Sequence, residues 1–257
     1  MFAPAHLRAP SRDRAILTGS LVAIAATAWL ALWLWEGSPY GHFLHHDGVG
    51  GAVGPSLAIG ATAFTIGWTL MIVAMMLPSS VPLVVTFAAL VSRRTRPMRL
   101  VALLLLGYLL VWAAFGLAAW AADRGVHAAV EALPWLAAHP QLIIAATLLA
   151  AGLWQFSPLR DRCLDECRSP LGFVLNRWRG TSERREALLM GIAHGAFCVG
   201  CCWSLMLVMF GVGISSLTGM LVLGGVTAIE KNLPQGRRLT RPLGVALVLA
   251  AVYAVAA

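Results

Sequence analysis

Apolar blocks of about 18 to 25 residues recur along nearly the whole of this chain, and each is long enough for a helix to cross a bilayer core of about 30 Å. That pattern constrains the fold more than any motif does. A soluble domain carries about 25 % charged residues. This chain of 257 residues carries 12 %, against 59 % hydrophobic residues. The blocks read as membrane helices, and the expected fold is an all-α polytopic transmembrane helix bundle. One transmembrane domain is expected over residues 1–257, with a cytoplasmic loop at 158–185.

Seven spans of about this length are expected, at 15–35, 57–91, 99–122, 140–157, 187–210, 214–231 and 240–256. The second is overlong. Pro78 and Pro82 predict a kink or break within it. The first span is long for a signal-peptide core, and no small-residue cleavage site precedes Trp29, Trp33 and Trp35, so it is expected to stay as a helix. Those tryptophans suit an outer-interface belt.

The basic residues fall in alternate connections. Arg8, Arg12 and Arg14 precede the first span. Arg93, Arg94, Arg96 and Arg99 follow the second. Arg160, Arg162, Arg168, Arg177, Arg179, Arg184 and Arg185 follow the fourth, and Lys231, Arg237, Arg238 and Arg241 follow the sixth. Together these are 18 of the 19 Lys and Arg residues, Arg124 being the other. The positive-inside rule then predicts a cytoplasmic N-terminus and an external C-terminus. The net charge of +8 is thereby a topology signal and gives no support to nucleic-acid binding.

The segment HGAFCVGCCW, residues 194 to 203, lies inside the fifth block. His194, Cys198, Cys201 and Cys202 sit at i, i+4, i+7 and i+8, so on a helix they share an arc of roughly 100°. A lone cysteine in such a helix is usually a small packing residue. Three thiols and an imidazole on one arc suit ligation of a soft or borderline metal, or thiol redox chemistry. Gly191 and Gly195 form a small-residue step that lets another helix come close.

The second span offers Met71, Met75 and Met76. It runs inward while the fifth runs outward, so both sets are expected near mid-bilayer. Thioether with thiolate selects copper(I), whereas Cys with His suits zinc. Cys163 and Cys167, spaced i, i+4, lie in the 158–185 loop. There Ser157 and Pro158 predict the start of a short amphipathic helix and Pro170 its end. Nearby arginines would favour thiolates. Glu230 reads either as an interfacial pair with Lys231 or as an acidic gate. His42, His45, His46 and Asp47 form a loose metal-capture patch in a glycine-rich outer loop, or simply a solvated one. No cysteine falls in an external connection, so a disulfide-stapled ectodomain is not expected.

The pieces WTLMIVAMMLPSS (68–80), QFSPLRDRCLDECRSP (155–170), GIAHGAFCVGCCWSLM (191–206) and AIEKNLPQG (228–236) resemble the bacterial family of predicted metal-binding integral membrane proteins, a domain-of-unknown-function family. The resemblance covers about residues 60 to 236. It implies motif roles for Met71, Met75, Met76, Pro78, Cys163, Cys167, Cys198, Cys201, Cys202 and Glu230, and a multi-pass place in the bacterial inner membrane. The expected function is binding of copper(I) first, zinc second, for transport or for delivery. The expected partners are the lipid bilayer and a metallochaperone or maturing metalloprotein. A transmembrane thiol–disulfide electron conduit using Cys198 and Cys201 is the first rival. A structural or assembly subunit is the second. No phosphate-binding loop, Ser/His/Asp set or H-E-x2-H motif is found, so an enzyme is not the expected reading.

Overall fold

The computed structural model describes residues 11–38, 55–212 and 217–256. Among these, every regular element is helical. The order is α1 (Ser11–Glu36), α2 (Pro55–Met75), α3 (Leu77–Val91), α4 (Pro97–Ala132), α5 (Pro134–Ala137), α6 (Gln141–Trp154), α7 (Pro158–Arg168), α8 (Pro170–Arg177), α9 (Glu183–Val212) and α10 (Leu217–Asn232). A 3-10 turn (Gly236–Leu239) then leads into α11 (Thr240–Ala256). The histidine patch at His42, His45, His46 and Asp47 lies outside the described residues.

Five helical stretches are long and apolar enough to cross a membrane: α1, α2, α4, α9, and the 3-10 turn joined to α11. A sixth arises if α6 and α7, bent by 65°, form one broken span. The chain is therefore a helical membrane protein, but the expected seven spans differ from this in three places. The second block divides at Met76 into α2 and α3. The fourth contains a helix of only 14 residues before its bend. The sixth is α10, with 16 described residues.

The division at Met76 follows from Pro78, which has no N–H to give the carbonyl of Ala74. The indole Nε1 of Trp29 on α1 donates to that carbonyl instead, at 3.1 Å. The Met76 carbonyl accepts from the hydroxyls of Ser79 (2.8 Å) and Ser80 (3.3 Å). A break at bilayer depth is thus satisfied from within the protein, as hydrocarbon requires. At the α6–α7 bend, Ser157 is extended before Pro158, as a residue preceding proline prefers. Its hydroxyl accepts from the backbone N–H of Leu159 at 3.3 Å, capping α7 as expected.

α4 and α9 run side by side in the same direction. Gly191 meets Leu104, and Gly195 meets Tyr108 and Val111. A Cβ at Gly191 would overlap the backbone carbonyl of Leu104, while one at Gly125 would meet nothing within 4 Å. Gly191→Ala is therefore expected to cost about 1–3 kcal/mol through overpacking. Gly125→Ala should be neutral or stabilising by up to about 1 kcal/mol. Thermal unfolding in detergent would compare them, and a Gly191→Ala protein as stable as wild type would contradict this crossing.

The N-terminal ends of α4 and α9 are tied by Arg94 to Glu183 at 3.0 Å. α6 and α10 meet α9 higher up. Trp154, the last residue of α6, donates its indole N–H to Gly200 O at 3.1 Å. Gly244 of α11 packs on Gln155 and Phe156. Lys231, near the end of α10, reaches Cys198. Cys198 lies about 22 Å along α9 from Glu183, at 1.5 Å per residue. α6, α10 and α11 thus begin or end about halfway up the bundle, and α7 and α8 cover α9 from there down. The charged face of α7 carries Asp161 and Asp165, both paired with Arg237. Large apolar side chains on the outer faces of α1 and α11, such as Leu34, Leu249 and Val252, are exposed and form the surface for lipid.

Candidate metal centre

Sulfur reaches the middle of the bundle from three elements. α9 supplies Cys198, Cys201 and Cys202, which are 0 %, 1 % and 1 % exposed. The α2–α3 break supplies Met76, also fully buried. α7 supplies Cys163 and Cys167. All five cysteines are free thiols.

α7 can come this close because residue 200 is glycine. A Cβ there would lie 2.6 Å from the sulfur of Cys163. Cys167, one turn on, packs against the same buried cluster as Cys198 and Cys201. It is only partly buried, so it connects the enclosed thiols with the outside of the bundle. The sulfur of Cys202 approaches that of Met76 at 4.0 Å. Tyr108 Oη lies 3.3 Å from Cys198 Sγ. The buried cluster around these groups also includes Trp68, Trp112, Met206 and Met209.

α10 adds a group that the sequence reading missed. Lys231 Nζ donates to Cys198 Sγ at 3.0 Å, and stands 3.7 Å from Met76 Sδ and 3.5 Å from Ser79 Oγ. The residue is 6 % exposed. Its neighbour Glu230 turns the other way. The Glu230 carboxylate accepts from Arg160 Nη2 at 2.7 Å and from Thr240 Oγ1 at 3.0 Å. Arg160 also donates to Thr240 Oγ1 at 3.1 Å. Arg168 donates to the backbone carbonyls of Glu230, Leu233 and Pro234, capping the end of α10. Glu230 therefore ties α10 to α7 and α11, while Lys231 projects into the thiols. A signal for Lys231 was in the sequence: it is the chain's one lysine among 19 basic residues. A lysine ammonium is a compact point charge that can sit among sulfur atoms where a planar guanidinium does not fit.

The other expected ligands are placed as follows. Met71 is buried in the same cluster. Met75 lies against Gly224 of α10, with its methyl carbon 3.4 Å from where a Cβ would be. His194 sits one turn below the thiols, with Nε2 3.2 Å from Ser80 Oγ. Its ring stacks on Tyr108 and meets Phe173 edge-on, at centroid distances of 5.5 and 5.6 Å. The link from His194 to Cys198 thus runs through Tyr108.

Among the described residues, no three His, Cys, Asp or Glu side chains are arranged to close on a metal ion. The thiols of Cys201 and Cys202 are turned back to donate to the Cys198 carbonyl, at 3.1 and 2.9 Å. Rotation about χ1 would redirect each into the cluster. The donor chemistry is soft, thiol and thioether, and His194 is set apart from it. That set suits copper(I) better than the Cys–His combinations typical of zinc.

Fold and centre together define a class: a helical membrane protein with a buried, sulfur-rich cluster at mid-bundle. Within that class, the chain belongs to the PpoB2 family, described as copper chaperone, whose model matches residues 65–254. That span takes in the Met76 break, both cysteine pieces and Lys231. No curated protein and no solved structure matches the chain.

Proposed function

We propose that the sulfur cluster binds one copper(I) ion as cargo, with Cys198, Cys201, Cys202 and Met76 as its principal ligands. Cys167 is the exchange thiol through which the ion passes to or from a metallochaperone or a maturing metalloprotein. Met71, Met75 and His194 shape the enclosure, and zinc is the second candidate ion. Cys163 holds α7 in place, and Glu230 fixes the end of α10. The observation that carries this reading is the convergence of thiols, a thioether and one amine around Cys198, with a single partly exposed thiol packed against them.

The reading includes a topology: seven crossings of a bacterial inner membrane, N-terminus in and C-terminus out. α6 with the bent α7 makes one broken crossing, α10 makes a short one, and the exchange thiol opens on the arginine-rich cytoplasmic side. A reporter fused after Ala257 is then expected to be active outside the cytoplasm, and one inserted near Gly180 inside it. A cytoplasmic C-terminus would remove the seven-crossing count.

Met76→Leu tests the metal reading against the electron conduit. The change conserves volume and apolarity, so packing should lose less than about 1.5 kcal/mol. It removes the thioether next to Cys202, so copper(I) affinity is expected to fall about tenfold, about 1.4 kcal/mol, with zinc affinity unchanged. Met71→Leu and Met75→Leu should have smaller effects. The packing of Cys167 against the cluster that holds Cys198 and Cys201 also allows thiol exchange. A conduit would therefore show reversible disulfides by thiol trapping in cells, and full activity in the Met76→Leu variant.

A further inference from the structure

Where α6 gives way to α7, an open cavity of about 940 Å³ is lined by Gln155, Asp161, Arg237, Arg238, Thr240 and Arg241, among others. It is separate from the sulfur cluster and belongs to no step of the copper reading. Two features mark it as a built site. The first is Gln155, which is 1 % exposed. Neither its amide nitrogen nor its amide oxygen has a hydrogen-bond partner among the described residues. Buried amides are almost always paired, and an orphaned one calls for an explanation such as an absent ligand. The second is charge. Arg237 is held by Asp161 and Asp165. Arg238 and Arg241 have no carboxylate partner among the described residues. The cavity is therefore lined by two guanidinium groups without a carboxylate partner and by an unpaired amide, with Asp161 engaged by Arg237.

We propose that this cavity binds a phosphate group that carries a neighbouring hydroxyl. Guanidinium groups match phosphate oxygens in paired hydrogen bonds. Arg238 and Arg241 grip the phosphate oxygens, and the Gln155 amide N–H donates to one of them from the wall. The Gln155 amide oxygen accepts from the hydroxyl. A lipid headgroup of the phosphatidylglycerol type has both groups; a soluble polyol phosphate has them too, and monohydrogen phosphate offers its own P–OH. Phe156, on the cavity wall and 48 % exposed, offers an apolar surface beside the phosphate. Thr240, also on the wall, belongs to the Arg160–Glu230 network, so an occupant touches the anchor of α10.

The test uses the full chain in detergent and in nanodiscs of phosphatidylglycerol or phosphatidylcholine. Native mass spectrometry would count retained lipid, and phosphorus NMR would follow binding of inorganic phosphate. Wild type is expected to retain phosphatidylglycerol at least tenfold over phosphatidylcholine. Arg238→Gln with Arg241→Gln should abolish that preference, and Gln155→Leu should reduce it at least threefold. Thermal unfolding serves as the fold control for each variant. Binding of inorganic phosphate with the same sensitivity to the variants, but no lipid preference, supports the site with a soluble source. Absence of both preferences in wild type, or binding that survives both variants, overturns the proposal.

Discussion

Replacing Cys198, Cys201 and Cys202 together with serine is expected to abolish tight copper(I) binding while leaving the protein folded and inserted. The fold should survive because serine repeats the local hydrogen bonding. In the native protein the thiols at 201 and 202 donate to the Cys198 carbonyl, and a helical serine makes the same back-bond. The change is close in volume, and the cavity it leaves is small. Ligation should not survive, because a hydroxyl is a hard, protonated donor and copper(I) selects soft sulfur. Binding of the ion by thiols also releases their protons, which gives the affinity a pH dependence that serine cannot supply. The expected loss is at least a thousandfold in affinity, about 4 kcal/mol. Competition with a colorimetric copper(I) chelator would measure it. Wild-type affinity in a folded triple variant would show that the ligands are elsewhere.

Lys231→Met carries the second large effect. Lys231 lies 3.0 Å from the Cys198 sulfur in a water-poor setting. Whichever of the two holds the proton, amine and thiol together are neutral. When copper(I) binds the three thiolates of Cys198, Cys201 and Cys202, the complex alone carries two negative charges, and the Lys231 ammonium beside it would offset one of them. Lys231 is thus expected to act as a counterion to the metal-bound thiolates. Methionine keeps the length of the side chain and adds a soft donor, yet removes the counterion. Breaking a buried ion pair costs about 3–5 kcal/mol. Copper(I) affinity is thus expected to fall at least a hundredfold. Equal or tighter copper(I) binding by Lys231→Met would mean that the amine competes with the ion instead of balancing it.

Much of this was legible in the sequence, and the misses share a cause. The apolar blocks, the α7 cap at Ser157 and the break in the second block follow from local rules of length and proline chemistry. The i, i+4, i+7 and i+8 spacing placed the α9 thiols correctly on one face, since Cys198, Cys201 and Cys202 are all buried in one cluster. His194 shares that arc but packs one turn lower against Ser80 and Tyr108, because helical spacing gives a direction and not a partner. For Glu230 the sequence offers a pair with its neighbour Lys231 or an acidic gate, and the structure pairs it with Arg160 rather than Lys231. The helix sends neighbouring side chains about 100° apart, so one faces Arg160 and the other the thiols. The break after α6 is likewise legible at Pro158, but its 65° angle is not, because the direction of α7 beyond the break is set by what it packs on.

Copper-edge X-ray absorption on the full chain, loaded with copper(I) in detergent, would read the ligand shell itself. One copper per chain with a first shell of sulfur only is expected, and a sulfur contribution that diminishes in the Met76→Leu variant. A nitrogen or oxygen shell, or a protein that takes up zinc stoichiometrically while leaving copper(I) unbound, would contradict copper(I) ligation by the sulfur cluster.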